Sequence, residues 1–177
     1  MKMLKFKRFI TTAVILLAAY LLQSTVFPHL ELAGIKPNLL LIVTAAFGFM
    51  RGPKEGMWIG LAAGLLLDVQ CGDIIGFYGL IYLLVGALNG LFEQLFFDED
   101  IKLPLFLITL SEFLYGIVIY FLMFLLKSDF KFPYYLGRII VRELIHTIMV
   151  TLIMYPLILW VNHKLEAEEK RSASKFV

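Results

Sequence analysis

Six apolar segments follow one another with only short polar connections, and this pattern constrains the chain more than any motif in it. They run from the start to about Phe27, then over Pro37–Met50, Pro53–Val69, Ile74–Phe92, Leu103–Leu126 and Tyr134–Asn162. Soluble domains are about 45–50% apolar; here 60% of the residues are hydrophobic and the mean hydropathy is +0.86. A chain of 177 residues has too little interior to hide that surface from water, so lipid must be the solvent for much of it. The expected fold is an all-α membrane protein, a compact bundle of about six transmembrane helices forming one domain over 1–163, with a charged cytoplasmic tail over 164–177 that frays or is disordered.

The opening MKMLKFKRF followed by an apolar run has the order of a signal peptide. The run is longer than a typical h-region and no small-x-small cleavage site follows, so an uncleaved first span is expected. The second segment is short: fourteen helical residues rise roughly 21 Å against a hydrocarbon core of about 30 Å. Pro37 suits its first helical turn. The alternative, a re-entrant hairpin made with the third segment, would bury Arg51, Lys54 and Glu55 mid-membrane at about 2.5–3.5 kcal/mol each. Two full spans put those charges in water and are preferred. Orientation follows from the flanking cations. Eleven of the 16 Lys and Arg fall on the side of the N-terminus, among them Lys2 to Arg8, Arg51, Lys54, Lys102 and the tail; Lys36, Lys127, Lys131, Arg138 and Arg142 fall on the other. Both termini are therefore expected in the cytoplasm.

The most informative stretch runs from Gly52 to Asp68. Gly52, Gly56, Gly60 and Gly64 recur every fourth residue, which on a helix makes a ridge without side chains where another backbone can approach. The ridge serves either an internal helix–helix contact or a partner's helix, and Gly52 alternatively caps the turn before Pro53. Asp68 closes the helix, where a carboxylate opposes the macrodipole; it needs a cation, a backbone donor or water, or else is a solvated interfacial acid. Asp73, Gly76 and Gly79 then suggest a tight turn into a glycine-lined fourth span. A second cluster lies in the fifth and sixth segments. Arg138, Arg142 and His146 share one helix face, with Glu143 adjoining. Arg142 and His146 sit roughly 12 and 18 Å below the outer end, and Glu112 roughly 14 Å from the inner one. Such residues face a protein interior or wet cavity, which makes a polar lock between the last two helices the first reading and a proton or ion path the second.

Catalytic signals are weak. Nucleophile-elbow, metalloprotease, paired-cysteine and phosphate-loop patterns are absent from the sequence. His29, His146 and His163 are scattered, and Cys71 stands alone without a disulfide partner or ligand pattern. No cofactor or metal is expected. A net charge of +2 gives nucleic-acid binding little support. The acidic run Asp98-Glu99-Asp100 suits the start of the fifth helix, with a docking handle for a basic partner as the alternative.

At the glycine ridge the sequence resembles the bacterial rod shape-determining protein MreD family. The resemblance rests on Pro37-Asn-Leu-Leu-Leu41, Arg51-Gly-Pro53, Gly56, Gly60, Gly64-Leu-Leu-Leu-Asp68, and Gly76 to Gly79-Leu80. It implies a non-enzymatic scaffold subunit of the machinery that elongates the lateral cell wall and maintains rod shape in the bacterial cytoplasmic membrane. It further implies an MreC-like bitopic partner, a wider complex with the MreB filament and with RodA and its transpeptidase, and a fold similar to the substrate-binding component of energy-coupling-factor transporters. The family lends no catalytic residues. The alternative is a small-molecule-binding membrane subunit of an uptake transporter, which should present an outward pocket of converging polar and aromatic groups; Tyr134, Tyr135, Asp68 and Asp73 are the loop residues available for one.

The charge count predicts that reporter fusions at Lys175 and within Lys127–Lys131 report opposite sides of the membrane. Both on the same side would refute the six-span topology.

Overall fold

A computed structural model of the chain describes residues 2–27, 36–71, 74–96, 101–127 and 136–173. Among them the structure is helical throughout. Helix α1 (Lys2–Leu21) runs into a π-helical turn (Leu22–Val26); α2 (Leu39–Arg51) and α3 (Pro53–Cys71) are separated by Gly52 alone; α4 (Phe77–Gly90) precedes a 3-10 turn (Glu93–Leu95); α5 is Lys102–Lys127; a π-helical turn (Leu136–Ile140) leads into α6 (Val141–Ala173). These elements track the six apolar segments. Pro37 lies just outside α2 instead of in its first turn. Asn38 is the cap, its side-chain oxygen accepting from the Leu41 N–H, as short polar residues do at that position.

The centre of the bundle is α2. Every residue from Leu39 to Met50 is buried, and the helix touches each of the other five. Its 13 residues rise about 20 Å, too short to span a bilayer facing lipid, but α2 is solvated by protein and has no thickness to match. The segments long and apolar enough to cross a membrane are Phe6–Val26, Lys102–Leu122 and Val141–Glu168, in α1, α5 and α6; α2 and α4 are the shorter apolar helices. The long helices carry exposed apolar rows, such as Phe6, Ile10, Val14, Leu17 and Leu21 on α1, and Met149, Ile153, Leu157 and Trp160 on α6. That surface suits lipid and no other solvent.

The described ends of the chain meet at one end of the bundle. Lys7 of α1 pairs with Glu168 of α6 at 2.5 Å, and Arg8 pairs with Glu55 of α3 at 2.9 Å. Residues 164–173 continue α6 without a break, with Leu165 buried. The buried Leu165 and the ion pair to α1 hold this stretch helical where its charge alone suggested fraying.

The tightest contact is between α3 and α4, which run antiparallel with their backbones touching. A β-carbon at Gly56 would collide with the Gly86 carbonyl, one at Gly60 with the Tyr82 carbonyl, and one at Gly64 with the backbone of Tyr78 and Gly79; from the other side, one at Gly90 would strike Pro53. Gly48 of α2 joins at the same level, where a β-carbon would lie 2.6 Å from the Gly86 oxygen. Overpacking a dense interior costs about 1–3 kcal/mol, and a fixed backbone yields less than a flexible side chain. Gly60→Leu and Gly86→Leu should therefore abolish the folded, monodisperse species in detergent. Gly137→Ala, where a β-carbon meets nothing within 4 Å, should shift stability by no more than about 0.5 kcal/mol.

Candidate functional site

Asp68 stands at the end of the α3–α4 contact. Being the last acid before α3 ends, it reaches across to the start of α4. Its carboxylate accepts from the backbone N–H groups of Gly76 (2.9 Å), Tyr78 (2.8 Å) and Gly79 (3.1 Å). The first N–H groups of a helix have no partner of their own, so a carboxylate borrowed from α3 closes them and sits at the favourable pole of the α4 dipole. Of the possibilities open from sequence, the structure shows the backbone donor. Asp68 is buried, and Gly76 makes the turn at φ +95°, where a side chain is strained. Gly52 turns α2 into α3 at φ +86° with the Glu93 carboxylate over it, and Gly79 packs against Asp68. Asp73 lies outside the described residues.

A polar cluster crosses the bundle one layer deeper. Asn38 is its hub: its side-chain oxygen accepts from the Tyr82 hydroxyl at 2.6 Å, and its backbone N–H donates to the Thr147 hydroxyl at 3.3 Å. Gln23, in the π-helical turn after α1, accepts from the Leu40 N–H at 3.1 Å. The N-terminus of α2, buried where water cannot serve it, is thus closed by groups from α1 and α6 and by its own cap. Glu112 of α5 is 2% exposed and stands beside Glu143, Thr147 and Asn38. Neither of its oxygens completes a hydrogen bond of good geometry among the described residues. The groups that meet Glu112 are thus Glu143 and Thr147 of α6. His146 precedes Thr147 with its Nδ1 buried and unbonded among the described residues, Arg142 is half-buried, and the Arg138 side chain lies outside the described residues. Tyr82 and Tyr115 meet edge to face with ring centres 5.7 Å apart. Above them a cavity of about 490 Å³ opens at the end of the bundle away from the termini, with Tyr78, Tyr82, Tyr115 and Glu143 in its wall.

The other end of α2 carries a second hub, one that sequence reading put in water. The Arg51 side chain is 2% exposed. It donates to Asn162 of α6 at 2.8 Å and to Thr12 of α1 at 2.9 Å, lies 3.7 Å from Glu55 of α3, and stacks 4.3 Å over the Phe47 ring. Its planar guanidinium reaches partners on three helices and faces the C-terminal pole of the α2 dipole, so this cation can be buried where a lysine ammonium would not have the same reach. Asn162 in turn donates to Glu166 at 2.7 Å. Asp98, Glu99, Asp100, Tyr134 and Tyr135 lie outside the described residues.

A family model described as rod shape-determining protein MreD matches residues 3–164, all but the ends of the chain. The chain belongs to the MreD family. No curated protein and no solved structure gives a match of comparable strength. Membership makes this a membrane protein of the rod-shape system, in agreement with the apolar helices long enough to span a bilayer. Sequence reading includes Asn38 and Arg51 in the segments that carry the resemblance but gives neither of them a role inside the bundle. Asn38 was signalled by its position after Pro37 and before an apolar run. Read locally, Arg51 is an interfacial charge, because its partners Asn162 and Thr12 lie 111 and 39 residues away.

Removing Asp68 leaves three N–H groups without an acceptor, at about 1–3 kcal/mol for an unsatisfied buried group. Asp68→Ala should lower the thermal midpoint in detergent, and Asp68→Asn, which keeps one oxygen, should recover part of the loss. Equal midpoints for wild type and Asp68→Ala would mean that water serves this helix end equally well.

Proposed function

We propose that this protein is a non-enzymatic scaffold of the lateral cell-wall elongation machinery, holding an MreC-like bitopic protein in the cytoplasmic membrane. The observation that carries the reading is the family match from residue 3 to 164. On this reading residues 1–163 are one six-span domain with both termini in the cytoplasm, and residues 164–177 form its charged tail. The MreB filament and RodA with its transpeptidase belong to the wider assembly. The geometry supports a scaffold in two ways. Gly56, Gly60 and Gly64 are engaged with α4, so the ridge serves internal packing and a partner helix must dock elsewhere. The exposed rows on α1, α4, α5 and α6 offer such surfaces, among them Leu80, Leu84 and Leu88 along α4. In a membrane, association of that kind rests on van der Waals fit and interhelical hydrogen bonds, which needs no reactive group.

Affinity purification of the tagged full-length protein in a gentle detergent should co-purify one bitopic membrane protein with a large extracytoplasmic part. Recovery of monodisperse protein with no such companion, from cells that contain it, would overturn the scaffold reading.

A further inference from the structure

We propose that the cavity at the end of the bundle away from the termini binds a ligand presenting an ammonium group. The cavity, about 490 Å³, falls in the size range of small-molecule sites, about 300–1,000 Å³. Its wall is composed for a cation. Three tyrosine rings, Tyr78, Tyr82 and Tyr115, come from α4 and α5; the faces of such rings attract an ammonium, as in the aromatic cages that hold quaternary amines. Beside them is the Glu143 carboxyl, and behind Glu143 stands Glu112, nine-tenths buried and more, with both oxygens lacking a hydrogen-bond partner among the described residues. In this low-dielectric layer two adjacent carboxyls can ionise together only beside a cation, so a bound ammonium is favoured by the charge it lets them carry. Gln23 and Gln70 add amide groups at the wall.

The cation in the lining, Lys36, is exposed at the mouth. Water and salt screen it there far better than they screen the buried acids. Its position also suits a ligand whose ammonium is followed by an anionic group, which would lie near Lys36. A neutral polyol would find hydrogen bonds here but would supply no counter-charge to the acids, and an anion would disfavour their ionisation further. Two sources offer the right chemistry: a free amine entering from the medium, and the ammonium head of a zwitterionic phospholipid.

The test uses the full-length protein purified in an amine-free maltoside detergent. It is titrated with ethanolamine or with phosphatidylethanolamine in mixed micelles, and with ethylene glycol and phosphatidylglycerol as matched controls, by calorimetry and thermal midpoint. The proposal predicts a saturable rise in midpoint with an ammonium-bearing probe and none with the controls. A response to phosphatidylethanolamine alone identifies a lipid headgroup, and a response to ethanolamine as well identifies an amine site. Glu143→Gln should weaken binding by about tenfold or more. Lys36→Glu, on the exposed rim, should tighten ethanolamine binding by about twofold or more at low salt. No saturable response to either probe, an equal response to the controls, or unchanged affinity in Lys36→Glu would each overturn the proposal.

Discussion

The fold depends on the backbone contact between α3 and α4. In lipid, helices gain nothing from hiding apolar side chains, because the surrounding tails are equally apolar. What remains is close fit, and here Gly56, Gly60 and Gly64 remove the side chains that would hold the helices apart while Gly86 and Gly90 do the same from α4. Weak Cα–H···O contacts become possible at such separations. Gly48 brings α2 into the same junction. A narrow α3–α4 pair leaves room for α1, α5 and α6 to close around α2, and so a helix of 13 residues can be buried along its whole length.

Burying a helix completely transfers the problem to its ends, where N–H and C=O groups lack partners. Each end of α2 has its own solution. At the start, Asn38, Gln23 and Thr147 supply partners from three parts of the chain. At the finish, Arg51 places a cation against the C-terminal pole and ties it to α1, α3 and α6. Both hubs join elements that are distant in sequence, so each fixes the register of the bundle as well as satisfying polar groups. Asp68 repeats the principle for α4, with the acceptor again coming from a neighbouring helix.

Hydropathy made the six helices legible, within a few residues except in the last, where α6 begins at Val141 and runs past Asn162 to Ala173, because burial in lipid or in protein demands apolarity of each segment. The four-residue spacing of Gly52 to Gly64 made a packing ridge legible, but not what it meets. That depends on Gly86, Tyr82 and Gly79, whose antiparallel register across α4 is a tertiary fact. Arg51 beside Gly-Pro at the end of an apolar run has the local signature of an interfacial charge, and its burial follows only from the arrival of Thr12 and Asn162. Glu112 is buried among the helices. Its neighbours are Glu143 and Thr147, one turn of α6 that depth arithmetic could not separate from His146. The cavity wall comes from helix residues such as Tyr78, Tyr82 and Tyr115, whereas a search of the loop sequence looks to Tyr134 and Tyr135.

These features describe a protein that uses its polar groups to hold itself together and turns an apolar surface outward, as lipid requires. Membership of the MreD family ties this membrane protein to rod shape. The most direct measurement is cell shape in a strain depleted of its own copy and complemented with this chain. The account predicts that depleted cells round or swell and that the wild-type chain restores rods. Normal rods after complete loss of the protein, in an organism without a second copy, would contradict it.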